Sequence, residues 1–309
     1  MIEVQHSLAA ALEACNNTKT HEPLLFGLLR GLLLENLVPS GSIIDAGANN
    51  GNEACLLAVS SRERMVYAID PLQQNVDYMT RRFANTASNL RPMLGGLGHD
   101  DRILRAGPRA VAMAAGPWAQ VKLKQLHAVA PHWVSVDGTP MLQVNASKHE
   151  VPIFRMDTLF ATKLAGKHLG LVHLDLEGYE LAAIAGAART IMRYRPFVTV
   201  EVFPRSKGGS TRAILNHTEA ALDYDAFVIE ESCGYPADCR NVLLVPRERL
   251  PSLSGSRTLE SLVAARKLFA MTSNNTRYPA SGSSLPSSKL SFAAHAQFLR
   301  DWRTTGRTA

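Results

Sequence analysis

Apolar residues at Leu8, Leu12, Leu25, Leu28, Leu29, Leu32 and Leu33 recur at three-to-four-residue spacing, which predicts helices within residues 1–40. Pro39-Ser40-Gly41 closes that region. From there short apolar runs alternate with amphipathic ones. "SIIDAG" precedes a helix over 53–62, and "MVYAID" precedes one over 75–84. A strand is expected at 91–97, and regularity is lost after it until about residue 151. Alternation returns with "LGLVHLDLEG", a helix over 180–193, "PFVTVEVF" and a helix near 210–222. Two more strands follow, "DAFVIEE" and "NVLLVP". Strands alternating with helices argue for βαβ units, a mostly parallel sheet and helices on both faces. Only "SCGYPADCR" separates the last two strands, too little for a crossover helix, so they are expected to form an antiparallel hairpin.

Beyond Pro251 the chain is rich in Ser, Thr and Asn. The pattern predicts helices at 259–271 and 292–302, with "PASGSSLPSSK" between them as a linker. Three units are therefore expected: an N-terminal helical extension over 1–40, an α/β domain over 41–250, and a Ser-rich extension over 251–309. The longest apolar run, 24–38, contains Arg30 and Glu35. A membrane span needs about 20 largely uncharged residues, so this run reads as a packed helix.

Composition narrows the function classes. The chain has 309 residues, 46% hydrophobic and 19% charged, which is a globular balance. The net charge of +6 suits an acidic partner, yet Lys and Arg are scattered with no run of five, so no nucleic-acid partner is expected. Met1-Ile2-Glu3 does not begin a secretory signal. Cys15, Cys55, Cys233 and Cys239 form no CxxC and have no histidine at finger-like spacing, which argues against structural zinc.

The stretch "IIDAGANNGNE" carries the most specific chemistry. A strand ending in Asp45 that turns through Gly47, Ala48, Asn49, Asn50 and Gly51 into a helix lets a ligand approach the backbone. The spacing fails G-x-G-x-x-G, and Asp45 would repel a pyrophosphate. A cofactor with an ammonium and a sulfonium would instead be attracted. The second strand ends in Asp70-Pro71, where a carboxylate can accept ribose hydroxyls. Acids at the tips of consecutive strands, in this order, point to S-adenosyl-L-methionine.

"IIDAGANNGNEA", "YAIDPLQQNVDYM", "LVHLDLEGYELAAIAGA" and "RPFVTVEVF" together resemble the FkbM-type methyltransferases. That family carries D-x-G-A-N-x-G and D-x-E-G-x-E, matched here at 45–51 and 175–180. "NLRPMLGGLGHDD" resembles its third strand and turn, which brings Leu97 and Gly98 into the cofactor set. The resemblance covers about 40–246. It implies a Rossmann-like methyltransferase fold, with a mostly parallel seven-stranded sheet ending in an antiparallel hairpin strand. It also implies S-adenosylmethionine as cofactor and methylation of an oxygen on a carbohydrate or small molecule. His173 departs from the basic residue the family commonly places two before the second motif's acid, and residues 106–150 match nothing in it.

Methyl transfer needs alignment and, for an alcohol, a proton acceptor. Asp175 and Glu177 at the fourth strand's end and Glu201 in an otherwise apolar run are the candidate catalytic carboxylates. Glu180 is expected to complement the helix dipole. Three carboxylates at strand tips could hold Mg²⁺, but a metal-free site is the expectation. His173 reads as a core histidine, and His127, His132 and His149 as surface ones. Cys233 and Cys239 bracket the hairpin turn and could pair. With the sequons beginning at Asn16, Asn145, Asn216 and Asn274 they hint at an oxidising compartment, while the missing signal points to the cytoplasm. A nicotinamide oxidoreductase and a non-catalytic cofactor-binding module remain as alternatives.

Overall fold

The computed structural model describes residues 2–17, 20–106, 133–134, 140–141, 149–176, 178–204, 208–233 and 239–273. Two helices, α1 (Ile2–Ala14) and α2 (Pro23–Leu34), precede the first strand. Five neighbouring strands of the main sheet run parallel: β1 (Ser42–Ala46), β2 (Val66–Asp70), β3 (Leu90–Leu94), β9 (Leu169–Leu174) and β10 (Phe197–Val202). The connecting helices are α3 (Asn52–Ser60), α4 (Gln73–Phe83), α5 (Met156–Ala161), α6 (Glu180–Gly186) and α7 (Ala188–Tyr194). After α8 (Gly208–Ala221), the strands β11 (Tyr224–Ile229) and β12 (Arg240–Pro246) form the antiparallel hairpin that the short connection required.

The sheet is mixed and has eight strands in the order β13-β11-β12-β10-β9-β1-β2-β3, which corrects the seven-stranded expectation. Two strands run against the rest, β12 and the added β13 (Leu268–Met271). The cause is local. The expected helix over 259–271 ends early, because α9 (Arg257–Ala264) stops and Arg266 adopts a φ of 56°, a left-handed conformation that no α-helix continues. Residues 268–271 then pair with the free edge of β11. The strand expected at 91–97 also breaks: Gly95, with a φ of 153°, separates β3 from β4 (Gly96–Leu97). β4 leaves the main sheet and joins β8 (His149–Phe154) and β5 (Arg102–Ala106) in a small sheet. A further pair, β6 (Trp133–Val134) and β7 (Pro140–Met141), is antiparallel. The predicted linker, the helix at 292–302, His127 and His132 lie outside the described residues.

Two apolar cores cover the two faces of the sheet, because successive strand residues point to opposite sides. One contains Ile43, Ala68, Leu171, Phe197, Phe227 and Leu243 under α1, α2, α3 and α9. The other contains Ile44, Ile69, Val172, Val198, Val228 and Leu244 under α5 to α8. Among the described residues no helix is long and apolar enough to cross a membrane.

Candidate cofactor and methyl-transfer site

Period-two alternation gives the first face an unusual end. Continuing past the apolar positions of that face, the strands deliver Asp45 from β1, Asp70 from β2, Glu201 from β10 and Asn241 from β12. Asp175 follows one residue after β9 in the same phase, and its N–H donates to Ala46 O at 3.0 Å. A row of carboxylates therefore runs along the carboxyl edge of the sheet. In doubly wound sheets this edge is where ligands bind.

Asp45 is 1% exposed, and its Oδ2 has no hydrogen-bond partner among the described residues. Burial pushes its carboxyl well above the usual range, and Glu53, Asp175 and Asp70 push it further. Every charge acting on it is another carboxylate. Such a group is costly without a cation or a proton.

The turn after β1 is tied to the tip of β2. Gly47 and Ala48 N–H groups donate to Ile69 O at 3.0 and 3.1 Å, and Asn49 N donates to Asp70 Oδ2 at 2.8 Å. Asp70 also accepts from Leu72 N and from Asn75 Nδ2, each at 2.9 Å. Three bonds leave part of a carboxylate's acceptor capacity free. Burial still dominates and lifts Asp70 to about 6, with those three donors pulling it down. Asn49 has a φ of 50° and Gly51 one of 76°, and Gly51 opens α3. Asn50 Oδ1 accepts from Asn52 N at 3.1 Å, which steadies the helix start. Pro71 is half-buried directly behind Asp70.

Glycine at 47 has a steric reason. A Cβ there would stand 1.8 Å from the Asp175 carbonyl oxygen, so the β1 turn and the end of β9 touch backbone to backbone. Glu180 then holds the far side. Its Oε1 accepts from Leu176 N at 2.9 Å and from Gly178 N at 3.0 Å, closing the turn that carries Asp175. Glu180 is a positioning group for that turn. Glu177 lies outside the described residues.

Glu201 is 8% exposed, and its Oε1 lies 2.8 Å from Cys239 Sγ. Cys239 is bonded to Cys233, and a second bridge joins Cys15 to Cys55. Among the described residues, donor atoms converge closely enough for an ion only at Glu201, Cys233 and Cys239, whose sulfurs are spent in the bridge. His173 Nδ1 lies 2.9 Å from Thr199 Oγ1, the ring stacks edge-on against Phe26, and burial lowers it to about 4, which makes it a neutral core histidine.

Leu97 and Gly98 stand apart from this row. Leu97 packs in the core of the opposite face, and Gly98 N donates to Phe154 O at 3.0 Å beside Gly186. Gly95 is the residue of that segment that meets the site, its N–H donating to Asp70 O at 3.0 Å. Sequence reasoning also missed Glu22, Glu53, Glu231 and Asn241, because long-range packing brings the first three to this edge and nothing marked Asn241 within an apolar strand.

A buried Asp45 oxygen among acids, without a hydrogen-bond partner among the described residues, fits a ligand that carries positive charge. The model for the FkbM methyltransferase domain matches residues 45–236. The chain belongs to the FkbM methyltransferase family. S-adenosyl-L-methionine is the cofactor of that family. Solved structures show likenesses as well. An FkbM methyltransferase of Methylobacillus flagellatus KT is 16% identical at a TM-score of 0.42, over 79% of this chain and 58% of that one. The present chain thus spans a little over half the length of that FkbM methyltransferase. An O-methyltransferase of Bacillus cereus, solved with SAH, is 13% identical at 0.42, over 78% and 90%. An rRNA methylase of Streptococcus thermophilus is 14% identical at 0.36, over 71% and 94%. No curated protein matches the chain. The family assignment rests on the domain match alone.

Proposed function

We propose that this FkbM-family protein is an S-adenosylmethionine-dependent methyltransferase acting on a hydroxyl of a small-molecule or glycan acceptor, with residues 41–250 as the catalytic unit. The observation that carries the reading is the Asp45 oxygen left without a hydrogen-bond partner among the described residues, in a carboxylate-lined, nearly solvent-free position. When bound, the cofactor supplies a methyl group already activated on a sulfonium. Asp45 receives the cationic amino-acid end. Asp70, fixed by Asn49, Leu72 and Asn75, holds the ribose hydroxyls with its remaining lone pairs. Gly47, Ala48, Asn49, Asn50 and Gly51 present a backbone edge to which the ligand can approach closely.

On the acceptor side, Asp175 takes the hydroxyl proton as the acceptor oxygen attacks, with Glu177 two residues further along the chain. Glu180 holds the turn so that this carboxylate stays aligned. Glu201 lines the next strand tip. Alignment of this kind accounts for most of the rate gain in a displacement whose leaving group is already activated.

Calorimetric titration with S-adenosylmethionine tests the first half. Binding is expected in the micromolar range, and Asp70→Ala should weaken it on the order of tenfold or more through two lost charge-assisted hydrogen bonds. No heat at millimolar cofactor would remove the proposal. Mass spectrometry of carbohydrate, small-molecule and RNA acceptors, read for a gain of one methylene, tests the second half. Transfer only to RNA would replace the acceptor class.

A further inference from the structure

Glu22 is a buried acid that neither the family match nor the chemistry above uses. It lies outside residues 45–236, immediately before α2. An acid at this position ordinarily caps its helix by accepting from first-turn N–H groups. Glu22 makes no such bond. Leu24 and Leu25 N–H groups donate instead to Glu231, at 2.8 to 3.0 Å. The helix is thus capped from across the fold, and Glu22 is left with another task.

Its side chain turns inward, 9% exposed, where Asn241 Nδ2 donates to Oε1 at 2.5 Å. Asn241 stands directly opposite Glu201 in the sheet, on the face that carries Asp45 and Asp175. Thr20 draws Glu53 the same way, accepting from Glu22 N at 3.3 Å and reaching Glu53 Oε1 at 3.4 Å. Two carboxylates from outside the sheet therefore close on the row from above. Glu22 and Asp45 act on the same two carboxylates, Asp175 and Glu53, and among the described residues the Asp45 Oδ2 has no hydrogen-bond partner. Burial raises the Glu22 carboxyl well above its usual range, and Asp175 and Glu53 raise it further. A fold that needed only a helix cap would not hold an acid there.

We propose that Glu22 is a cofactor-positioning residue, set by Asn241, whose carboxylate faces the sulfonium of S-adenosylmethionine, while Asp45 receives the amino-acid end. The inference rests on the cofactor reading of Asp45. It also gives the N-terminal segment a function, because that segment then favours the charged methyl donor over its neutral thioether product. S-adenosylhomocysteine keeps the ammonium and the adenosine but loses the sulfonium charge. A carboxylate near the sulfonium should distinguish the two ligands.

The test is calorimetric titration of the full chain with each ligand, for wild type and Glu22→Gln, with thermal midpoints alongside. Glu22→Gln should weaken S-adenosylmethionine about tenfold, as expected for losing one charge at close range in a partly desolvated site. It should weaken S-adenosylhomocysteine by no more than about twofold. The midpoint should stay level or rise, because repulsion among acids is relieved. A purely structural Glu22 would lower the midpoint and leave the ratio of affinities alone. An equal loss for both ligands, or an unchanged donor affinity, overturns the proposal. Should Glu22→Gln fold poorly, Asn241→Ala keeps the charge but releases it from its setting. The same ratio must then shift in the same direction, and an unshifted ratio also overturns the proposal. Wild type binding neither ligand is a separate result, which removes the Asp45 reading and this inference with it.

Discussion

At the scale of single residues, Gly47 shows how tightly the site constrains its sequence. Its φ of 89° lies where side chains are strained, and a Cβ would sit 1.8 Å from a backbone oxygen that no rotamer change can move. Gly47→Ala therefore combines backbone strain with overpacking, at a cost of about 3 kcal/mol. The thermal midpoint should fall by about 5 °C, and cofactor affinity should fall with it as β1 and β9 separate. A midpoint unchanged in differential scanning calorimetry would show that the two strand ends do not meet as described. The glycines at 47 and 51 were legible as turn residues from spacing alone. Their neighbours were not, since Asp175 and Met79 reach them from distant parts of the chain. Glu180 was legible as an acid opening a helix, but its two bonds back to Leu176 and Gly178 depend on the turn being closed.

At the scale of elements, the N-terminal helices are bound to the sheet by chemistry as well as packing. Cys15 follows α1 and Cys55 lies in α3, and their bridge closes a separation of 40 residues. Removing that cross-link frees the unfolded chain and should cost about 4 kcal/mol in the chain-entropy picture. The Cys233–Cys239 bridge spans only 6 residues, and its loss should cost about 2 kcal/mol by the same reasoning. Denaturant unfolding of Cys15→Ser/Cys55→Ser and Cys233→Ser/Cys239→Ser proteins should rank them in that order, and the reverse ranking would contradict the topology. The Cys233–Cys239 pairing was open to sequence as a possibility, because two short strands bring their ends together. Cys15 with Cys55 could not, because α1 must first dock on α3. The edge strand β13 was hidden for a similar reason. Leu259 to Met271 keeps an apolar rhythm, and only the left-handed Arg266 divides a helix from a strand.

At the scale of the whole molecule, a chain of net charge +6 gathers a group of buried acids along one edge of one sheet. Asp45, Asp70, Glu22, Glu53 and Glu231 all have carboxyls raised by burial. Asp70, ordinarily at 3.8, stands at about 6 in the fold, so its stabilising share is complete below 3.8 and is lost as pH rises through 6. A cationic ligand favours the ionised form and reverses that slope. S-adenosylmethionine should thus bind about tenfold more weakly at pH 5 than at pH 7.5, with protons released on binding. Affinities that stay flat across this range, or heats independent of the buffer's ionisation enthalpy, would falsify the acidic-row account. Alternation of apolar and polar positions was enough to mark most strands along the chain, end β1 and β2 in acids, and place a glycine turn between strand and helix, because those features follow from local backbone geometry. Which acids share a face, that Glu231 relieves Glu22 of capping α2, and that Asn241 turns Glu22 inward depend on contacts across more than 200 residues. No local rule carries information over that distance, so those features exist only once the chain has packed.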